Sequence, residues 1–392
     1  MPEFLHGIET VEIDSGLRPI RTVMSSIIGL VGTAPAASEE DFPLDTPVLL
    51  TGPRKAATLG AGGTLRDAYD AIYAQGVNIA IVVRVAEGAT PAATTANVAG
   101  QGSAGTGAYA FLTSESQLGI KPKILAAPGF TANPAGGTAS PVTTALIAVA
   151  DRTRSVAIVD GPNTGEAAAV ADAGLYGSAR VMIVDPAVRV MDQAGAIVTR
   201  PASGYAAGVL SRTDAERGFW WSPSNQLVNG IVGTARPISF ELSSDQTEAH
   251  RLNAADVATI INRNGFRLWG NRTPSEDTLW AFLSVRRTAD MVYESVEQAH
   301  LWAMDRPFGE QLLIDIRDSV QTYLNELVRR GAILGGQVWL DPELNTEATM
   351  KAGKLYIDFD IEPPAPLEHL IFRAHRNGSY YEELVTRVAA TN

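Results

Sequence analysis

Residues 79–85 read IAIVVRV, a run of apolar residues without polar alternation. Such a run is typical of a strand that is covered on both faces of a sheet. Helix-like stretches separate these runs and predict βαβ units, hence an α/β fold with a largely parallel sheet and helices on both sides. The other runs are ILAA at 124–127, VAIV at 156–159 and VMIV at 181–184, and the helix-like stretches are 65–75, 107–118, 141–151 and 166–176.

Two segments depart from this alternation. Residues 87–107 are rich in Pro, Ala, Thr and Gly, which predicts a long surface loop or a small insertion. Residues 188–199 are typical of a hairpin that closes at 192–195.

The second half of the chain has a different pattern. Residues 245–262 are helix-like, and two longer helical patterns follow, one from Ser275 and one that Gly331 ends. Residues 354–362, KLYIDFDIE, then alternate strictly between apolar and polar side chains, which predicts a half-buried strand. This order of helices and strands predicts an α+β second domain. The predicted organisation is an N-terminal arm at 1–22, an α/β domain at 23–245, an α+β domain at 246–366 and a C-terminal arm at 367–392.

Composition excludes several classes of protein. The 392 residues include 31 Lys+Arg, 43 Asp+Glu and no cysteine, which gives a net charge of −12. The absence of cysteine excludes disulfides and Cys-based metal sites. The acidic balance argues against a nucleic-acid partner, since nothing offsets the repulsion from phosphates. No apolar run approaches the length of a membrane span, so we expect no membrane insertion.

Patterns that would indicate an enzyme are incomplete. The spacing of Gly100, Gly102 and Gly105 fits a dinucleotide fingerprint, but neither the preceding strand nor the following acidic residue is present. Asp14-Ser15-Gly16 matches the aspartate tripeptide of subtilisin-like proteases, yet the sequence lacks the histidine and serine contexts of that triad. The histidines have no zinc-binding spacing. We therefore expect no enzymatic activity, no cofactor and no metal.

Four segments carry a resemblance to a known family. They are AIVDGP at 157–162, GFWWSPSN at 218–225, NGFRLWGNRT at 264–273 and AGKLYIDFDIEPPAPLE at 352–368. These strings resemble the tail sheath proteins of contractile-tailed temperate phages and, equally, the sheaths of R-type, pyocin-like bacteriocins. A phage tail and a bacteriocin particle therefore both stay as alternatives. The likeness extends over essentially the whole chain.

The resemblance implies a structural role. It implies stacked six-membered rings around an inner tube, built from a baseplate, which shorten and drive the tube through a bacterial envelope. The implied partners are further copies of the chain, the inner tube protein, and the baseplate and tail terminator proteins. The implied location is a virion tail or bacteriocin particle, assembled in the cytoplasm of the bacterial host. The family likeness also implies an outer α/β domain of subtilisin-like architecture and an inner, tube-facing C-terminal domain.

The two chain ends are candidates for contacts between subunits. Both ends have extended patterns that could pair with the sheet of a neighbouring copy, beside the strand predicted at 354–362. The candidate residues for this pairing are Val11, Ile13, Leu355, Ile357, Phe359, Ile371 and Phe372.

Two further hypotheses concern contacts with the tube and an alternative function. The basic doublets Arg286-Arg287 and Arg329-Arg330 are candidates for contacting the tube, and the alternative is that they are solvated helix surface. The alternative function is a cytosolic α/β enzyme with a ligand at the carboxyl ends of the strands, near Pro128-Gly129 or Gly161-Pro162.

Overall fold

A central mixed sheet organises the chain in a computed structural model that describes residues 19–77, 79–133, 136–192 and 194–391. The strands are β1 (Ile28–Thr33), β2 (Pro47–Leu50), β3 (Ala80–Val85), β4 (Ile124–Ala126), β5 (Val156–Asp160), β6 (Val181–Val184), β7 (Val188–Met191), β8 (Ile197–Arg200), β9 (Gly233–Thr234), β10 (Val257–Asn262), β11 (Phe266–Trp269), β12 (Val338–Trp339) and β13 (Asp358–Phe359).

The helices lie mainly between these strands and after β11. They are α1 (Pro53–Ala57), α2 (Leu65–Ala74), α3 (Pro91–Ala99), α4 (Ser114–Leu118), α5 (Pro141–Thr153), α6 (Glu166–Ala173), α7 (Ala202–Arg217), α8 (Glu248–Ala254), α9 (Leu283–Ala299), α10 (Glu310–Arg329), α11 (Glu347–Lys351) and α12 (Ser379–Ala389), with 3-10 turns at Gly107–Thr113, Thr278–Trp280 and Leu301–Ala303. Among the described residues, none of the helices has the length and hydropathy that a membrane crossing requires.

The predicted α/β fold with a largely parallel sheet is confirmed. Within the described chain the main sheet has eight strands in the order β11-β10-β6-β5-β4-β1-β3-β2. Its inner strands run parallel, and only the edge strands β2 and β11 pair antiparallel with their neighbours. The four apolar runs are β3 to β6, whose residues are buried because helices cover both faces. One face packs against Tyr69 and Leu210 of α2 and α7, and the other against Phe111 and Leu146.

One sequence prediction is refined and another is wrong in part. The segment 87–107, for which the sequence predicts a long surface loop or a small insertion, contains α3, whose first turn is capped by the Thr90 hydroxyl accepting the amide of Ala93 at 3.1 Å. The helix expected at 245–262 is only α8, and the remainder is β10, which pairs parallel with β6. The sheet therefore continues past the predicted domain boundary at 245/246, and that boundary stays a prediction, as does the subtilisin-like architecture.

The last third of the described chain packs two long helices against a small sheet. The apolar sides of α9 and α10 meet at Met291, Val292, Tyr323, Leu324 and Leu327. β12 and β13 pair antiparallel, and Phe359 contacts this cluster with its ring edge-on to Tyr293. α10 lies where the sequence pattern predicts it, whereas α9 begins at Leu283 rather than at Ser275, after a 3-10 turn at Thr278–Trp280.

Candidate functional site

The two-stranded sheet of β12 and β13, which we call the inner sheet, is the first candidate site. Strand geometry is regular only at Asp358–Phe359, a shorter span than the 354–362 predicted from the alternation. Backbone bonds extend the pairing, because Asp360 N donates to Gln337 O at 3.0 Å and Leu334 N donates to Glu362 O at 2.7 Å. The candidate residues Leu355, Ile357 and Phe359 are half-buried, and Phe359 packs on the α9–α10 cluster. The predicted alternation is thus present over a longer stretch than the strand itself.

The C-terminal arm, of which the structure describes residues 367–391, lies outside the packed body. Every one of these residues is exposed, and Phe372 has 85% of its surface accessible. A surface ion pair ties the start of the arm to the body, with the Arg272 guanidinium 2.7 Å from the Glu368 carboxylate. Candidate residues Ile371 and Phe372 lie in the part of the arm before α12, which has no regular secondary structure. Val11 and Ile13 fall outside the described residues.

The arm ends in α12, an amphipathic helix. Four of its apolar residues recur at the spacing of one helix face, and all four are exposed. They are Tyr381, Leu384, Val385 and Val388. An isolated helix of 11 residues is marginal in water, so this apolar face gains most if it packs against another surface.

The first basic doublet lies inside the subunit. Arg287 is only 2% exposed, and its guanidinium donates to both carboxylate oxygens of Asp214 and to the backbone of Ser25. Arg286 bonds Asp290 at 2.7 Å and stacks over Trp280 at 4.1 Å. Both side chains are largely buried: Arg287 holds α9 against α7, and Arg286 packs between Asp290 of its own helix and Trp280.

The second doublet lies on the surface at the end of α10. Arg329 and Arg330 are both exposed. Arg329 pairs with Glu326 one helical turn earlier, and Arg330 lies 5.2 Å from the ring of Trp220. These two arginines remain accessible to an external partner.

A seam of ion pairs joins α9 to the amino-terminal edge of the parallel sheet. Lys123, just before β4, bonds Glu294, and Arg180, just before β6, bonds Asp290. Arg154, just before β5, bonds Glu297 with both guanidinium nitrogens. Burial lowers the pKa of Lys123 to about 8, although its bond to Glu294 opposes that shift. None of the residues of this seam is among the candidates predicted from the sequence.

A signal for the seam does exist in the sequence. Asp290, Glu294 and Glu297 recur at i, i+4 and i+7, which places three carboxylates on one stripe of α9. The basic partners are 110 to 171 residues distant, so spacing alone could not pair them.

A cavity of about 220 Å³ lies beside Pro128-Gly129, one of the two places named for the alternative enzyme. Asp67 and Arg200 pair across it at 2.8 Å, and burial raises the pKa of Tyr205 in its wall to about 12. The described lining contains neither a histidine nor a serine, so the nucleophile–base pair of a hydrolase is not assembled there.

Comparisons with known proteins agree along the whole chain. A family model described as the phage tail sheath protein central domain matches residues 102–274, and the phage tail sheath C-terminal domain matches 275–376. The putative prophage major tail sheath protein of Pseudomonas aeruginosa (strain UCBPP-PA14) is 39% identical over 97% of this chain and 99% of its own length. The tail sheath protein of Escherichia phage P2 is 35% identical and covers 99% of both chains.

A solved structure has the same fold. The helical sheath of the anti-feeding prophage in its contracted state matches with a TM-score of 0.71 and 20% identity, covering 96% of this chain and 100% of that chain. By sequence and by fold, this chain belongs to the phage tail sheath protein family and is a structural protein rather than an enzyme.

Proposed function

We propose that copies of this chain polymerise as stacked six-membered rings around an inner tube, and that the sheath contracts to drive the tube through a bacterial envelope. The observation that carries the proposal is the C-terminal arm, whose apolar side chains have no cover within the described subunit. A second copy of the chain would provide that cover. The contracted sheath with the same fold and the two tail sheath relatives support this function.

Electron microscopy of the purified, untagged protein over a concentration series tests the proposal. Hollow tubes or stacked rings with six-fold end views are the expected result. Compact monomers at every concentration, with or without an added inner tube, would contradict it.

The partners follow from this role. We infer that the sheath contacts an inner tube protein, starts from a baseplate and is closed by a tail terminator protein. It would be part of a virion tail or a bacteriocin particle that assembles in the host cytoplasm. A baseplate structure of the anti-feeding prophage with the same fold, at a TM-score of 0.71, supports the baseplate contact.

We also place the start of the inner, tube-facing domain after residue 274 rather than after 245. β10 and β11 belong to the main sheet, and the two family models meet at 274/275. The helices α9 and α10 and the inner sheet then form the tube-facing part.

The arms would join neighbouring subunits by strand addition to the inner sheet. Backbone hydrogen bonds supply affinity in such pairing, and alternate side chains select the partner. Leu355, Ile357 and Phe359 would contribute on the accepting side, with Val11, Ile13, Ile371 and Phe372 on the arms. This mesh would keep subunits connected while their bodies move.

Deleting residues 1–14 tests the N-terminal arm. We expect a folded monomer that cannot polymerise, because its contribution to the mesh is lost. Circular dichroism checks the fold, and electron microscopy checks assembly. Normal tubes from the truncated chain would disprove a linking role for this segment.

Arg329 and Arg330 are the tube-facing candidates that we retain, since Arg286 and Arg287 bond within the subunit. The change Arg329→Glu should weaken assembly on the tube without changing the unfolding midpoint, because Arg329 is exposed. Arg54→Glu, at an exposed position on α1, is the matched control and should assemble normally. Co-sedimentation with the tube measures both, and equal binding by the two variants would favour a solvated helix surface.

A further inference from the structure

Three Asn-Gly dipeptides occur in the chain, at Asn229, Asn264 and Asn377. An asparagine before glycine can lose its side-chain amide without a catalyst, because the next backbone nitrogen attacks the side-chain carbonyl carbon and glycine has no Cβ to obstruct the approach. The attack requires free rotation of the asparagine backbone, an accessible side chain and a glycine N–H that is not hydrogen-bonded. The three dipeptides are identical, so the fold decides which of them reacts.

Asn229 is held on both sides by the side-chain amide of Gln75. The Asn229 N–H donates to Gln75 Oε1 at 2.9 Å, and Gln75 Nε2 donates to the Asn229 carbonyl at 2.8 Å. Gln75 is only 1% exposed, so it cannot follow a rotating backbone. Gly230 lies against the end of α2, where a Cβ would be 3.0 Å from Ala74. The backbone at Asn229 is therefore fixed.

Asn264 is held in the tight turn between β10 and β11. Asn264 and Gly265 have positive φ angles, +52° and +98°, which are typical of a hairpin turn. The Arg263 N–H donates across this turn to Gly265 O at 3.0 Å, and the antiparallel pairing begins at the next residue on each side. The Asn264 side chain is exposed, but its backbone cannot rotate without breaking the hairpin.

Asn377 is the least restrained of the three. It lies in the arm just before α12, and Asn377, Gly378 and Ser379 are all exposed. The Gly378 N–H has no acceptor among the described residues. Because an isolated helix of 11 residues is marginal in water, the first turn of α12 opens readily and leaves the Asn377 backbone free to rotate.

The side-chain hydrogen bonds of Asn377 favour the attack. Asn377 Oδ1 accepts the Ser379 N–H at 3.0 Å and the Ser379 hydroxyl at 2.8 Å. When Gly378 N adds to the side-chain carbon, negative charge develops on Oδ1, and two donors aimed at that oxygen stabilise it. The same bonds keep the carboxamide close to the Gly378 peptide, so the reacting atoms start near each other.

We propose that Asn377 is a site of spontaneous modification, at which the subunit converts its own asparagine to aspartate and isoaspartate with water as the co-reactant. Gly378 N bonds to the side-chain carbon of Asn377 as the bond from that carbon to Nδ2 breaks, and ammonia leaves with the proton of the Gly378 N–H. Water then opens the five-membered imide. Opening at the side-chain carbonyl gives aspartate, and opening at the backbone carbonyl gives isoaspartate, whose main chain is longer by a methylene.

Both products change the start of α12. Aspartate places a full negative charge at the helix N-terminus, which the helix dipole favours. Isoaspartate displaces the acceptor from the Ser379 N–H through its added methylene, so the first turn loses its cap. The reaction needs no assembly. A chain that never polymerised would therefore contradict the proposed function but not this inference.

Peptide mapping by mass spectrometry, on full-length protein stored at neutral pH, tests the assignment. The peptide that contains Asn377 should convert roughly tenfold faster, or more, than those that contain Asn229 and Asn264, because only Asn377 can reach the geometry of attack. In concentrated urea the three should convert at similar rates, since the fold no longer restrains two of them. An unchanged Asn377 in aged folded protein, or the same difference among the sites in urea, would overturn the proposal.

Two variants test the contacts that set the rates. Ser379→Ala should slow conversion of Asn377 about threefold, because it removes one of the two donors to Oδ1 and keeps the backbone N–H. Gln75→Ala should have the opposite effect at the second site, and raise conversion of Asn229 about tenfold while Asn377 is unchanged. Circular dichroism checks that both variants fold. An unchanged rate at Asn377 in Ser379→Ala would overturn the role of the donors, and an unchanged rate at Asn229 in Gln75→Ala would overturn restraint as the cause of selectivity.

Discussion

Removal of residues 367–392 should leave a folded subunit that forms no tubes. All described residues of this arm are exposed, so its loss removes no core contact. The body loses the surface ion pair between Arg272 and Glu368, which is worth about 1 kcal/mol at most. The melting temperature should therefore stay within a few degrees of the wild-type value, which calorimetry can check. Sedimentation and electron microscopy would report the loss of polymers.

A shorter deletion provides the control. Removing residues 379–392 takes away α12 and leaves the extended part of the arm in place. This variant should still polymerise, at a higher concentration than the wild type, because strand pairing is kept and only the apolar helix face is lost. Regular tubes from the chain that lacks all of 367–392 would disprove the role of the arm.

Asp214→Ala should lower the free energy of unfolding by about 3–5 kcal/mol, because it leaves the Arg287 guanidinium buried without its counter-charge. Arg287 and Asp214 bond through two N–H groups, one at 2.7 Å, and both side chains are almost fully buried. Urea unfolding followed by circular dichroism measures the change.

The exposed pair of Arg154 and Glu297 is the matched control. Glu297→Ala should lower the free energy of unfolding by about 1 kcal/mol at most, since Glu297 is largely open to solvent. The double change Asp214→Leu and Arg287→Met should recover much of the stability lost by Asp214→Ala, because it removes both buried charges. Equal losses from Asp214→Ala and Glu297→Ala would contradict this account of the buried pair of Arg287 and Asp214.

Local pattern was enough to predict most of the α/β fold. The apolar runs that form β3 to β6 are too short and too uniformly apolar to be surface helices, so the local pattern alone identifies them as strands. Tertiary contacts then set only their order in the sheet. The pattern failed at 257–262, VATIIN, where apolar residues fit either a helix or a buried strand. In the structure this segment is a strand because it pairs with β6. The β-branched residues of the segment also favour a strand.

The interaction residues were harder to predict. Arg287 and Arg330 have the same local pattern, a basic doublet on a helix, yet one is buried and the other exposed. What separates them is Asp214, which lies 73 positions before Arg287 and which no spacing rule connects to it. The strand predicted at 354–362 is a different case. Its apolar–polar alternation spans nine residues, whereas regular strand geometry covers only two. This difference is expected if the strand pairs on its other side with a segment of another copy.

The seam between α9 and the sheet has a mechanical consequence. Buried ion pairs fasten α9 to the residues just before β4 and β6, and an apolar cluster packs the inner sheet on α9 and α10, so a load on the inner sheet is carried through α9 to the eight-stranded sheet. The compliant element is the exposed tether at 367–378, 12 residues that can span roughly 40 Å when stretched. A sheath of such subunits would change its length by rotating the rigid subunit bodies while the tethers keep them connected. Its elasticity would depend on the tethers rather than on the bodies.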